Sequence, residues 1–162
     1  MKRCFAFLLA FALLLWPLTI KPAEAQSLKD QLVGSWSLVS NTEEYADGKK
    51  EPWGPDAKGM LVFDKNGQFS LQIGVGDRPK GSGNPAENPA GKFIGYFGTY
   101  VTNDADKTLS FQIVRATFPS WDGTEQKRAV TSVGDQLIYK SAAPIPSGKG
   151  PFVPVLVWKR QN

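Results

Sequence analysis

The chain has 162 residues, 41% apolar and 12% aromatic, which is enough for one packed domain and too rich in core-forming side chains for a disordered one. It carries 19 basic and 15 acidic residues, no histidine and a single cysteine, Cys4. Histidine general-base chemistry is excluded throughout, and so, beyond residue 25, are thiolate nucleophiles, disulfides and zinc–thiolate sites.

Residues 1–25 read as a secretory signal peptide. Lys2 and Arg3 form a positive head, an apolar run covers residues 5–15, Pro17 breaks it, and Ala23-Glu24-Ala25 is a small-x-small cleavage site ahead of Gln26. The competing reading is a membrane anchor. The apolar stretch over residues 5–20 falls short of the ~20 apolar residues a spanning helix needs. Cleavage after Ala25 is therefore expected, with a periplasmic or secreted bacterial domain over residues 26–162 and no stable membrane anchor. The leader holds three of the basic residues and one acid, which leaves sixteen basic and fourteen acidic, a net charge of +2. Scattered lysines at that balance do not suit a phosphate backbone, so no nucleic-acid partner is expected.

The mature region reads as consecutive short strands. Ser27 is placed to cap one short turn over residues 27–32, with Asp30 three residues on. The first strand is expected over residues 34–45, ended by Asp47-Gly48, with an irregular patch at Pro52, Gly54 and Pro55. A second strand over 59–64 meets Asn66-Gly67, a pair that accepts positive φ at both turn positions. Over 68–75, Phe69, Leu71, Ile73 and Val75 alternate with polar or small residues, the period of a half-buried strand. Residues 76–91, rich in glycine, proline and asparagine, form the longest loop, a surface connector or a lid. Further strands are expected over 92–103, 109–115, 126–133, 136–140 and 152–160. Asp104 and Asp106 lack the glycine and distal glutamate of a calcium hand, and read as a hairpin turn. No stretch has convincing helical periodicity. Eight strands joined mostly by hairpin turns predict an all-β fold, an eight-stranded antiparallel up-and-down β-barrel.

Gly34-Ser35-Trp36 resembles the Gly-x-Trp signature of lipocalins. The longer blocks 32–40, 54–59, Asp77-Arg78-Pro79, Tyr96-Phe97-Gly98-Thr99-Tyr100, 118–128 and Gly134-Asp135-Gln136-Leu137 resemble the bacterial lipocalin-like domain family, a calycin-type barrel. The resemblance implies a tryptophan plugging the closed end under a basic residue of the last strand, which makes Trp36 with Lys159 or Arg160 the structural pair, Arg160 being preferred. Many members carry histidine on the strand matching residues 109–115. Phe111 and Gln112 stand there in this chain, so no histidine-dependent role carries over.

The expected function is binding of a small, partly apolar and possibly anionic ligand inside the barrel of a monomer, without catalysis, cofactor or metal. Phe69, Leu71, Phe97, Tyr100, Phe111 and Trp121 are the candidates for its apolar body. Arg115, Arg128 and Gln126 are the candidates for its head group, since a guanidinium fork suits a carboxylate. The plainer reading places Arg115 and Arg128 at the rim, paired with Glu125, Asp64 or Asp122. Two rivals stand beside ligand binding: a cyclase or isomerase folding a lipid-derived substrate, and a secreted inhibitor that docks a protein through its loops. A cavity of at least ~300 Å³ favours carrier or enzyme over inhibitor. No Gly-x-Ser-x-Gly elbow, phosphate loop or dinucleotide fingerprint is present.

Overall fold

The computed structural model describes residues 26–78 and 92–161. The leader, and all of the long loop beyond Arg78 apart from its return at Lys92, lie outside the described residues.

The chain enters through α1 (Leu28–Leu32), a single turn of helix whose Leu28 and Leu32 are buried. Ser27 caps it as expected, its Oγ accepting from the Asp30 amide at 3.1 Å. Asp104, distant in sequence but adjacent in space, accepts from the Leu28 amide at 2.5 Å. This aspartate thus satisfies a helix-end donor that has no partner within the helix.

Among the described residues nine strands follow: β1 (Gly34–Tyr45), β2 (Lys50–Pro52), β3 (Lys58–Phe63), β4 (Gln68–Gly74), β5 (Phe93–Asn103), β6 (Thr108–Ala116), β7 (Glu125–Ser132), β8 (Gln136–Ser141) and β9 (Phe152–Arg160). Every neighbouring pair is antiparallel, and β9 returns to pair with β1 from Trp36↔Arg160 to Tyr45↔Phe152. β1 and β3 to β9 close the expected eight-stranded barrel, so their backbone groups are paired around the ring. The ninth strand, β2, stands where an irregular patch was expected. β3 covers β1 only from Gly34 to Ser37, and β2 pairs with the edge left free at Thr42, Glu43 and Glu44.

Side-chain alternation sorts the walls. Phe69, Leu71 and Ile73 of β4 and Leu109, Phe111 and Ile113 of β6 all face the core. β5 turns Tyr96 and Tyr100 inward, and Phe97 outward with 50% of its surface exposed. The expectation that Phe97 and Tyr100 share the interior is therefore corrected, because residues three apart on a strand lie on opposite faces.

Of three register shifts among the described residues, those on β6 and β1 reset this parity around the site. On β6, Arg115 pairs with Phe97 and Ile113 with Gly98, leaving Val114 as an extra residue. Strict alternation from Leu109 would aim Arg115 inward; the bulge turns it outward beside Phe97. On β1, Leu38 pairs with Trp158 and Ser40 with Val157, leaving Val39 extra and 53% exposed. From that point the inward set becomes odd-numbered, and Asn41 enters the interior at 7% exposure. Gly98 permits the first bulge: a Cβ there would stand 1.9 Å from the Gln112 carbonyl oxygen.

Candidate functional site

The lower end of the barrel is solid. Trp36, fully buried, donates from Nε1 to the Leu32 carbonyl at 2.9 Å, and the Arg160 guanidinium carbon stands 4.1 Å from its ring centroid. Arg160 also donates to the Val33 carbonyl at 2.9 Å and to the Gln31 carbonyl, so one side chain ties β9 to the last turn of α1. Lys159 is exposed on the alternate face. Above the plug, Phe111 lies near-parallel to Phe63 at 6.0 Å and 4.3 Å from Phe69, which fills the middle of the barrel.

The upper half holds a cavity of about 200 Å³. Leu71, Ile73, Ile94 and Leu156 supply aliphatic wall, Trp53, Phe118 and Trp121 aromatic wall, and Asn41, Tyr96, Arg128 and Tyr139 the polar groups. The volume is below the ~300 Å³ set as favouring a carrier or an enzyme. It still exceeds the ~150 Å³ of an engineered cavity that takes benzene.

Arg128 sits among these groups at 6% exposure. Its guanidinium donates to the Gln126 side-chain oxygen and, at 3.2 Å, to the Lys127 carbonyl, and its carbon lies 5.9 Å from the Phe111 ring centroid. Among the described residues it has no carboxylate partner. A buried guanidinium without a counter-charge is costly, and its remaining donors suit an anion.

The tyrosines beside it stay protonated across neutral pH. Burial raises the Tyr96 hydroxyl above its usual range, against the opposing charge of Arg128. Burial raises Tyr139 well above that range, and the proximity of Tyr96 adds to the effect. The Tyr139 hydroxyl and the Asn41 side-chain oxygen are both buried without a hydrogen-bond partner. Each such group carries a desolvation cost of ~1–3 kcal/mol that a bound molecule or ordered water would relieve.

A family model described as a lipocalin-like domain matches residues 33–161. The chain belongs to the lipocalin-like domain family. The matched stretch takes in the Trp36–Arg160 plug, the full ring of strands and every lining residue of the cavity. A comparison with curated proteins found no match.

Within this lipocalin-like barrel the candidate binding residues separate into five places. Leu71, Trp121 and Arg128 line the cavity. Gln126 is off the wall and aims Arg128 through its side-chain oxygen. Phe69 and Phe111 belong to the packed layer beneath the cavity. Tyr100 lies toward the closed end, where its hydroxyl donates to the Asp64 carbonyl at 2.8 Å.

Phe97 and Arg115 are on the outer wall, and the placement of Arg115 as a head-group ligand is corrected accordingly. Its side chain is 70% exposed and pairs with Asp122 at 3.7 Å, the rim arrangement that was the plainer expectation. Sequence reasoning missed Asn41, Tyr96, Tyr139 and Trp53. Tyr96 and Tyr139 are legible from alternation once Tyr100 and Leu137 are set inward. Asn41 is not, because the bulge at Val39 brings it in.

No carboxylate lines the cavity among the described residues, and its two phenols hold their protons. The arrangement can donate to an acceptor or neutralise an anion. Among the described residues it offers no carboxylate or histidine base to abstract a proton.

Proposed function

We propose that this lipocalin-like protein binds a small amphipathic molecule in the upper cavity, with an anionic head group at Arg128 and an apolar body against Leu71, Ile73 and Trp121. One observation carries the reading: a guanidinium 6% exposed, facing a largely apolar cavity, with no carboxylate partner among the described residues. The unpartnered Tyr139 hydroxyl supports it, since it leaves a donor in the same space. Phenols that stay protonated favour holding an acceptor over proton-transfer chemistry. The basic head, apolar run and small-x-small site of residues 1–25 support export, with the barrel working as a periplasmic or secreted monomer.

Native mass spectrometry of protein purified from its own host tests the reading. The expected result is a small acidic molecule retained by the wild type and lost from Arg128→Gln. A bare polypeptide mass, with no small acid retained on incubation either, overturns it.

A further inference from the structure

We propose that the occupant is a small planar aromatic acid, one ring bearing a short carboxylate arm, and not a fatty acid or other long-chain lipid. This rests on the anion-binding reading of Arg128 given above and narrows it by shape.

Volume sets the first limit. About 200 Å³ accommodates a ring and a short arm, given that benzene occupies an engineered cavity of about 150 Å³. A long acyl chain needs a channel running down the barrel, and among the described residues packed side chains fill that path. Phe111, Phe69 and Phe63 are all at most 4% exposed, with Phe63 near-parallel to Phe111 and Phe69 tilted against it below the cavity. A chain whose carboxylate reached Arg128 would have to trail its tail through the mouth into water, forfeiting the burial that drives such binding.

The walls set the second limit. Trp121 stands edge-on to Tyr96 at 5.6 Å and 88°, and Phe118 packs on Trp121 at 5.0 Å. Trp53, Tyr139 and Phe152 bring further rings to the same space. Faces and edges presented together match another ring, which gains quadrupole contacts that a flexible chain does not.

The polar pole sets the third. Arg128 and the protonated Tyr139 hydroxyl provide donors on different walls of one space, and Asn41 brings an amide group to it. A carboxylate has two oxygens and four lone-pair directions, so it can take donors from more than one wall. Asn41 and Tyr139 are register partners of Leu156 from its two sides, which puts their backbones two strand spacings apart, roughly 10 Å. Side chains converging from that separation suit a compact head group.

Isothermal titration of the protein, expressed from its full coding chain, with phenylacetate, 3-phenylpropanoate and dodecanoate tests the proposal. One aryl acid per barrel is expected, at least about tenfold tighter than dodecanoate, with a loss of about tenfold or more in Arg128→Gln. Trp121→Ala truncates a partly buried ring packed against the edge of the core; with the fold checked by circular dichroism, it should weaken the aryl acids about fivefold or more without weakening dodecanoate. Dodecanoate binding as tightly as the aryl acids, with the Arg128 dependence kept, overturns the aromatic class and leaves the anion-binding reading standing. Aryl affinity unchanged in Trp121→Ala overturns it as well. Failure of all three acids to bind overturns the proposal together with the reading beneath it.

Discussion

Arg160 covers Trp36 at 4.1 Å and in the same reach donates to the Val33 and Gln31 carbonyls. One cation thus serves as a lid on the indole and as a C-terminal cap for α1, at the point where β9 closes on β1. Gly34, at φ 130°, makes room for it: a Cβ there would lie 3.0 Å from the Arg160 Nη1. Trp36→Ala should cost about 3–5 kcal/mol, as for other fully buried large aromatics. Arg160→Met keeps much of the bulk and loses the charge and donors, an expected cost of about 2–4 kcal/mol. Urea denaturation of both variants measures this, and midpoints within error of wild type would remove the plug from the account of stability.

The bulge at Val114 makes a second prediction. Gly98→Ala drives a methyl group into the Gln112 carbonyl, from which an ideal Cβ is only 1.9 Å away, and a backbone atom cannot swing aside. A loss of at least about 2 kcal/mol is expected. Phe97→Ser, one residue earlier on the exposed face, should stay within about 0.5 kcal/mol, and Phe111→Ala should cost about 3–5 kcal/mol. Equal costs for the two phenylalanines would place both on the same face and contradict the register.

Alkaline pH probes the interior. All four tyrosines are held above their ordinary value of 10: Tyr45 chiefly by its hydrogen bond to Glu43, Tyr96 and Tyr139 by burial, and Tyr100 by burial to about 12. A raised folded value means that the neutral phenol is favoured in the folded state. The associated stability is full below pH 10 and drains away as pH rises through the folded values. Ultraviolet titration should show little tyrosinate at pH 10, followed by release coupled to unfolding. Ordinary ionisation of Tyr96 or Tyr139 near pH 10 in folded protein would show that they are solvated.

Glu51 probes the acid side. Its carboxylate is gripped by Lys49 at 2.6 Å and Lys149 at 2.9 Å, and the hydrogen bonds from these two lysines lower it from 4.5 to about 2. A depressed folded value contributes stability present above about 4.5 and lost as pH falls toward 2. Both lysines are exposed and Glu51 is partly so, so salt should weaken the effect. Carboxyl NMR should find a midpoint near 2 at low salt that climbs with added sodium chloride. A midpoint that ignores salt would argue against ion pairing as its cause.

Much of the barrel was legible in the chain. The alternation of Phe69, Leu71 and Ile73 and the Ser27 cap each depend on a few adjacent residues, and each formed as read. The chain also turns at Asn66-Gly67, with positive φ at Gly67 and not at Asn66. β2 escaped notice because three residues carry no period, and only the uncovered edge of β1 makes them a strand. Of the candidate binding residues, Leu71, Trp121 and Arg128 reach the cavity, and Gln126 touches it through Arg128.

The amino-acid order by itself determined that strands form and where most of them turn, which follow from local period and turn chemistry. The meeting of Trp36 with a cation of the last strand was implied by the resemblance to lipocalins, and the tertiary structure brings it about. Tertiary structure alone decided which side chains share the cavity. One unpaired residue in a strand, Val39 or Val114, reverses the face of those around it, bringing Asn41 in and sending Arg115 out. Whether a strand takes up such a residue depends on its partner across the sheet, far away in sequence, so alternation within one segment does not reveal it.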